Sequence, residues 1–336
     1  MSSIRRRRRP SHSALLFLVA ALLMLAQYAM AASAAARPAE APAADEAEKS
    51  LPAKLLSRGL SGALRAVIVP PGESLRPHVS VREVLKQKLR WLLLGAGKAA
   101  PSADPSEGLK APRQPGIWML APEGEEVEDD APAIITPIHF DGSSRHLNGY
   151  HIGRYPARED GRTGRYAPPE FFIEVTPRNQ DFAVSKHFRL QQFLTKDQLD
   201  VWPKYLALDL RLVDKLELVL QELRAMGYPA KKLHVMSGFR TPQYNGPGGK
   251  GRAKFSRHTY GDAADVWLDD DGDGRMDDLD RNGRIDVEDA RVLAQAVERV
   301  EERHPELVGG YGIYPSNRAH GPFVHIDVRG TPARWG

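Results

Sequence analysis

The sequence predicts an α+β protein: a small antiparallel sheet flanked by helices in the C-terminal half, preceded by a small β-rich module. One observation is an apolar helical face over residues 206–226. The other is a set of short strand-like runs at 233–239, 264–268 and 323–328. A helix-flanked, mainly antiparallel sheet follows from this order of elements.

The N-terminus has the pattern of a targeting segment. Arg5–Arg9 form a charged region, Ala14–Ala26 form an apolar run, and Ala29–Ala31 offer small residues at the cleavage spacing. We therefore expect residues 1–31 to be a secretory signal peptide, because the apolar run is short for a membrane span. An uncleaved signal anchor is the alternative. Residues 32–50, which are rich in Ala, Pro and Glu, predict a disordered linker.

The charge balance gives no case for a nucleic-acid partner. Without residues 1–31, the 47 basic residues fall to 42, against 43 acidic ones. There is no cysteine, so disulfides, thiolate metal sites and an acylated lipoprotein cysteine are excluded. An exported, cysteine-free chain of this kind is expected to be periplasmic or secreted, and without stable membrane insertion after signal cleavage.

Two regions separate the linker from the C-terminal domain. Residues 51–115 predict short helices and linker, with one helix over 80–95, where apolar residues recur at helical spacing. Residues 116–176 contain short apolar runs separated by Pro, Gly and Asp clusters, which predicts a small β-rich module. The remaining residues, 177–336, are expected to form the main domain.

Two helices are predicted in the C-terminal domain. Over 206–226 a single face is apolar, Gly227 supplies a C-terminal cap, and Pro229 stops propagation. The residues of that face are Leu206, Leu210, Val213, Leu216, Leu220 and Leu223. A second helix is predicted over 287–303, between the last two strands.

Strand alternation brings candidate metal ligands together. In the last strand His325 and Asp327 share one face, while the apolar side chains share the other. In the strand before it, Asp265 lies opposite the apolar face, so Asp265 and His325 meet if the two strands share a sheet. His258 precedes Asp265 across a glycine-containing turn and is able to fold back onto them. Two imidazoles and one carboxylate, with a position left for water, match a catalytic zinc set.

The order of four motifs resembles a known superfamily. SGFRTPQYN (237–245), SRHTYGDAAD (256–265), GGYGIYP (309–315) and FVHID (323–327) follow one another along the chain. In this order they resemble the zinc peptidases of the lysostaphin, D-Ala-D-Ala metallopeptidase and hedgehog superfamily, and within it the murein endopeptidase K type. The resemblance covers roughly residues 176–336. It implies an α+β domain that carries zinc and cleaves peptide bonds of peptidoglycan.

The resemblance assigns roles to individual residues. His258, Asp265 and His325 match the zinc ligands of the superfamily. Arg240 matches an arginine that resembles an oxyanion or substrate-carboxylate clamp, a role suited to a planar cation beside developing charge.

The proton-handling residue is the point where the sequence departs from many relatives. They place a Glu three residues, or a His two residues, before the last zinc histidine, where this chain has Pro322 and Phe323. The murein endopeptidase K type also resembles this chain in having Phe there. Asp327 is a candidate to orient a ligand or act as base, and His320 is a second candidate for the base.

An acidic insert at residues 269–289 fits a calcium loop. Oxygen side chains stand at its alternate positions, with glycine at the sixth and an aliphatic residue at the eighth. The predicted ligands are Asp278, Asp280, Asn282, Arg284, Asp286 and Asp289, of which Arg284 contributes its main-chain carbonyl. The loop resembles a dockerin or EF-hand type, and its calcium would be structural. A solvated acidic turn is the alternative.

A second calcium frame overlaps the first. It contains Asp269, Asp271 and Asp273, and it shares Asp278 and Asp280 with the other frame, so the two are not complete independent loops. One or two calcium ions are compatible with the pattern, and one well-formed site is expected.

Two functions from different classes fit these observations. The first is a zinc-dependent peptidoglycan peptidase, expected to be a monomer whose partner is murein. The second is a non-hydrolytic zinc- and calcium-containing cell-wall binding module, which the departure at Pro322 and Phe323 favours. The sequence leaves open the bond that is cut (D,D or L,D) and whether the enzyme is an endopeptidase or a carboxypeptidase. The role of the module at 116–176 is open as well.

Overall fold

A computed structural model gives the structure of the protein over residues 56–75, 89–94, 110–122, 133–156, 164–246 and 252–336. Within these residues the protein is a mixed α+β structure with several small sheets, which confirms the predicted class. The predicted signal peptide and linker lie outside the described residues. Among the described helices, none combines the length and the apolar character that a membrane crossing requires.

The N-terminal described region forms a four-stranded sheet. Its strands are β1 (Ala66–Ile68), β2 (Leu89–Leu93), β3 (Gly116–Pro122) and β4 (Ala133–Thr136), in the order β1-β4-β3-β2. β1 and β4 are parallel, and the other pairs are antiparallel. Trp91, Trp118 and Ile134 lie in a small separate core of this sheet.

The helix predicted over 80–95 is wrong at residues 89–93, which form β2. A short apolar run such as LRWLL fits either a helix or a strand, because periodicity alone does not separate the two. Residues 89–93 adopt the strand conformation because antiparallel pairing with β3 satisfies their backbone hydrogen bonds and buries Trp91. Residues 80–88 lie outside the described part of the chain.

Three further strands and a hairpin connect this sheet to the C-terminal domain. They are β5 (Ile138–His139), the hairpin β6 (His146–Leu147) with β7 (Tyr150–His151), β8 (Phe171–Val175) and β9 (Lys204–Leu206). β8 pairs with both β5 and β9 in an antiparallel sheet. Strand pairing therefore crosses both predicted boundaries, at 115/116 and at 176/177, and the boundaries themselves stay predictions.

Helix α1 spans Leu210–Ala225 and begins later than the apolar pattern suggests. Leu206 belongs to β9, and Asp209 caps the helix by accepting a hydrogen bond from the backbone N–H of Arg211. The remaining residues of the predicted apolar face from Val213 onward are buried, as the periodicity indicates.

The C-terminal sheet has five strands. They are β10 (Leu233–Ser237), β11 (Ala263–Leu268), β12 (Gly310–Tyr314), β13 (Phe323–Asp327) and β14 (Ala333–Trp335), in the order β10-β11-β13-β12-β14. All pairs are antiparallel except β12 with β14. The short helix α2 (Pro242–Asn245) follows β10, and α3 (Val287–Arg303) has the predicted bounds.

One face of this sheet is packed and the other carries polar chemistry. Val266, Val324 and Ile326 are fully buried in the main core, together with the apolar side of α3. Because side chains alternate along a strand, Asp265 and His325 lie on the opposite face. α1 packs on α3, and Lys215 of α1 forms a buried ion pair with Glu301 of α3 at 2.5 Å.

Candidate metal centre

Three elements bring the predicted zinc ligands together. Asp265 on β11 and His325 on β13 are direct partners in the antiparallel ladder. His258 lies in a 3-10 helix, Arg257–Tyr260, immediately before β11. All three side chains are buried. The sequence prediction that these residues meet on one face agrees with their positions in the structure.

Gly261 makes the turn between His258 and β11 possible. Its φ of +76° lies in the left-handed region, and a Cβ there would stand 2.3 Å from the carbonyl oxygen of Ala207. A residue with a side chain would therefore push the turn away from the sheet. The glycine of the SRHTYGDAAD motif thus fixes how His258 folds back toward Asp265.

The ligand atoms have the spacing of a small tetrahedral metal site. His258 Nε2 lies 3.1 Å from Asp265 Oδ1 and 3.1 Å from His325 Nδ1, and His325 Nδ1 lies 2.9 Å from Asp265 Oδ1. Zinc bonds of about 2.0–2.2 Å in tetrahedral geometry separate ligand atoms by about 3.3–3.6 Å. The triangle is slightly tighter than this, so a small outward movement of the side chains accommodates the ion. These residues fit zinc with a fourth position left over.

In each histidine the ring nitrogen that faces away from the ligand triangle makes a hydrogen bond that fixes the ring. Nδ1 of His258 donates to the carbonyl oxygen of Gly238 at 2.7 Å, which leaves Nε2 as the unprotonated nitrogen. Nε2 of His325 donates to the carboxylate of Asp327 at 3.3 Å, which leaves Nδ1 facing Asp265 and His258. Such partners fix the tautomer and the ring orientation of metal ligands.

Asp327 lies behind the ring of His325. Its carboxylate is fully buried and accepts hydrogen bonds from the backbone N–H of Gly310 at 2.7 Å and from the guanidinium of Arg329. A general base must reach the reacting water, whereas this carboxylate is separated from the ligand triangle by an imidazole ring. Of the two roles that the sequence leaves open for Asp327, the geometry favours orienting the ligand.

Arg240 lies directly beside the ligand set. Its Nη2 donates to Asp265 Oδ2 at 2.5 Å, and its Nε donates to the hydroxyl of Ser237 at 2.8 Å. Asp265 therefore offers Oδ1 to the triangle while Oδ2 is held by the guanidinium. The predicted clamp residue is in the site, and it also orients a ligand carboxylate.

The other candidate base, His320, lies on an exposed loop. Its Nε2 contacts the amide of Asn317 at 2.7 Å, and its ring packs edge-on against Phe323 at 4.8 Å between centroids. In the described part of the chain, no hydrogen bond connects His320 to the ligand triangle.

Burial and neighbouring charges set the protonation of the site. Burial lowers the pKa of His258, which favours the neutral, ligating form. Burial raises the pKa of Asp265, but the charges and hydrogen bonds of His258 and His325 outweigh it and hold that pKa well below its ordinary value. The pKa of Asp327 is likewise low, because hydrogen bonds from His325 and Arg329 outweigh its burial. For His325, burial lowers the pKa and hydrogen bonds with Asp265 and Asp327 raise it above the ordinary value.

The acidic insert gathers two groups of carboxylates. Asp278, Asp280 and Asp289 approach within 4.8 Å through one oxygen each, as do Asp269, Asp271 and Asp273. Asp289 is fully buried and accepts backbone hydrogen bonds from Leu279 and Asp280. The carboxylates of the predicted loop are thus near one another, and calcium binding stays a prediction.

The other predicted calcium ligands have local roles. The side chain of Asp286 caps α3 by accepting from the backbone N–H of Glu288, and Asn282 Oδ1 accepts from the backbone N–H of Arg284. In the second group, Asp269 Oδ2 also accepts from the ammonium of Lys232 at 3.3 Å.

Several residues that build the centre escape sequence reasoning. Gly238 contributes only a backbone oxygen, and Arg329 acts on Asp327, which in turn acts on His325. The SGFRTP motif hints at Gly238 by its position, whereas nothing in the local pattern distinguishes Arg329 from an ordinary surface arginine.

Residues 207–287 match the sequence model of a family described as Peptidase M15. The peptidases of this family are zinc-dependent, and the match supports a metallopeptidase that acts on peptides. The matched range contains Arg240, His258 and Asp265, while His325 lies beyond it. The third ligand is therefore joined to the matched region by the pairing of β11 with β13. No curated protein and no solved structure matches the chain.

Proposed function

We propose that this protein is a zinc-dependent peptidase that hydrolyses peptide bonds in the stem peptides or cross-links of peptidoglycan. The observation that carries the proposal is the buried triangle of His258 Nε2, Asp265 Oδ1 and His325 Nδ1, two of whose residues lie in the Peptidase M15 match. The resemblance of the four sequence motifs to murein peptidases supports the substrate.

The side chains divide the work of peptide hydrolysis. Bound zinc supplies Lewis-acid polarisation of the scissile carbonyl and an activated water. His258 and His325 would hold the metal through the nitrogens left free by their hydrogen bonds to the carbonyl oxygen of Gly238 and to the carboxylate of Asp327. Arg240 holds a guanidinium beside the ligand set, paired with Asp265, and a planar cation in this place suits stabilisation of a developing oxyanion.

The compartment and the partners belong to the same proposal. We infer a periplasmic or secreted protein, since residues 1–31 have the pattern of an export signal and peptidoglycan lies outside the cytoplasmic membrane. The expected state is a monomer that binds murein, without nucleic acid and without stable membrane insertion after cleavage of the signal. The near-neutral net charge of the chain after residue 31 agrees with the expectation that nucleic acid is not a partner.

The alternative is a binding module that keeps the metal and lacks hydrolysis. Pro322 and Phe323, in place of a Glu or His, are the residues that favour it. In that case the protein binds sacculi and releases no peptide.

A digestion of purified sacculi tests the proposal. The zinc-loaded protein is expected to release soluble muropeptides, to stop with a chelator, and to resume when zinc is added back. Mass analysis of the fragments then identifies the bond cut and separates endopeptidase from carboxypeptidase. His325→Ala is the matched inactive control. Binding to sacculi without release of any fragment would establish the alternative.

A further inference from the structure

Four aromatic rings form a row across the face of the C-terminal sheet that carries the metal ligands. Trp267 on β11 and Phe323 on β13 stand two residues beyond the Asp265–His325 pair, so the antiparallel ladder sets them opposite each other. Their outer partners continue the row: His234 on β10 pairs with Trp267, and Tyr314 on β12 pairs with Phe323. We call these four residues the aromatic row.

The rings of the aromatic row stand in two parallel stacks. His234 and Trp267 are 4.3 Å apart between centroids at 12°, and Tyr314 and Phe323 are 4.6 Å apart at 5°. Phe323 is only 6% exposed, while the other three are half-exposed. Two residues along a strand span about 6.6–6.8 Å, so the row lies that far from the ligand pair.

The aromatic row is an uncharged surface. Burial is the main cause that lowers the pKa of His234, which keeps its ring neutral at pH 7. Asp269, which follows β11, lies 3.7 Å from Nδ1 of His234, and its charge is paired with that of Lys232, which precedes β10. The indole Nε1 of Trp267 is buried and has no hydrogen-bond partner among the residues described.

Trp335 fixes the aromatic row relative to the metal ligands. It is the register partner of Gly312, and a Cβ on Gly312 would lie 2.1 Å from the indole Nε1 of Trp335. The indole crosses this glycine, donates to the hydroxyl of Tyr314 at 2.8 Å, and lies 5.3 Å from the ring of His325. Gly312 in the GGYGIYP motif is therefore required for this close approach.

We propose that the aromatic row is a substrate subsite, which binds an uncharged, C–H-rich face of murein about two residues from the scissile bond. The assignment rests on the proposed function. In each stack one face of a ring is covered by its partner, so the row offers the ring edges and the remaining faces as apolar surface. Such a surface suits C–H groups and offers nothing to a charged group beyond cation–π contact. The row is continuous with the ligand pair on the same sheet face. A peptide extended over the metal along the strand direction therefore passes over the row, at about 3.3–3.6 Å per residue.

Two parts of murein present this chemistry: the pyranose rings of the glycan and the alkyl side chains of the stem peptide. Two soluble substrates separate them, one a cross-linked peptide dimer with its disaccharides and one the same dimer without sugars. The variants are Trp267→Ala, Trp267→Phe and Tyr314→Ala. Tyr228→Ala is the matched control, because Tyr228 is a half-buried aromatic residue at the end of α1, outside the metal-bearing sheet face.

We expect Trp267→Ala and Tyr314→Ala to raise KM about fivefold to tenfold, with kcat within about twofold and zinc content unchanged, since one ring face is lost. Trp267→Phe restores most of the affinity, and Tyr228→Ala leaves KM unchanged. If the alanine variants raise KM for the sugar-bearing dimer alone, the occupant of the subsite is a pyranose ring. If they raise KM for both dimers, the occupant is an alkyl side chain.

Unchanged KM for both alanine variants on both dimers, with zinc retained, overturns the subsite while leaving the peptidase proposal intact. If wild-type protein cleaves neither dimer, the peptidase proposal fails, and the same comparison is made as dissociation constants by calorimetry. If both alanine variants then raise the dissociation constant, the subsite is supported independently of hydrolysis. If neither variant raises it, the subsite is overturned.

Discussion

Replacement of Asp327 by asparagine separates the two roles that the sequence leaves open for this residue. Asparagine has nearly the same size and keeps an acceptor oxygen, but it loses the negative charge. In the wild-type protein the carboxylate accepts from His325 Nε2, from the backbone of Gly310 and from Arg329. Asp327→Asn therefore weakens the hold on the His325 ring without creating a cavity.

The expected effect is on zinc affinity. Loss of a carboxylate partner behind a ligating histidine typically costs about 10-fold to 100-fold in metal affinity. That range corresponds to about 1.4–2.8 kcal/mol of binding free energy. Since the carboxylate faces the far side of the imidazole, turnover at saturating zinc is expected to stay within a few-fold of wild type. The assays are competition with a chromophoric chelator and turnover measured against free zinc.

A matched control is Asp214→Asn, because Asp214 is also buried but accepts from the backbone of Leu60 and Ser61. Its zinc affinity is expected to be that of wild type. The reasoning is refuted if Asp327→Asn binds zinc normally and turns over about 100-fold more slowly at saturating zinc, the signature of a lost general base.

Three further predictions concern the two metals and the buried ion pair. His258→Ala is expected to lose most bound zinc and all hydrolysis while staying folded, and stoichiometric zinc by metal analysis would contradict the ligand assignment. Lys215→Ala removes the buried ammonium that donates to Glu301 and to the carbonyl oxygen of Asp327, while Glu301 keeps Arg334 as a partner. The variant is therefore expected to lower the free energy of unfolding by about 1.5–3 kcal/mol in urea titrations, the size of a lost hydrogen bond to a charged group. Arg211→Ala breaks the exposed pair of Arg211 with Asp209 and is expected to lower the free energy of unfolding by less than about 1 kcal/mol. Equal losses of stability in the two variants would contradict the claim that burial determines the strength of the ion pair. If calcium binds the acidic insert, the melting temperature of the wild-type protein rises with millimolar calcium, and Asp278→Ala abolishes the rise. A wild-type melting temperature that does not change with calcium would show that the insert does not bind this ion.

The sequence by itself determined the elements that depend on local periodicity. The apolar face of α1, the bounds of α3 and the alternation that sets Asp265 and His325 opposite Val266 and Val324 are visible in the residues. These features are predictable because burial of one face imposes a period of 3.6 or 2 on the chain. The spacing of His258 and Asp265 is local for the same reason, since a single turn connects them.

The tertiary structure alone decided the features that depend on which segments pair. The run at 89–93 is a strand because β3 lies beside it, and no property of five apolar and basic residues fixes that partner. Asp327 shares a strand face with His325, as predicted, but only the rotation of the imidazole decides that the carboxylate meets Nε2 and not the metal-facing Nδ1. The aromatic row likewise needs the register of four strands, in which Trp267 and Phe323 are more than fifty residues apart. Such contacts arise from long-range packing, which the sequence pattern of any one segment does not encode.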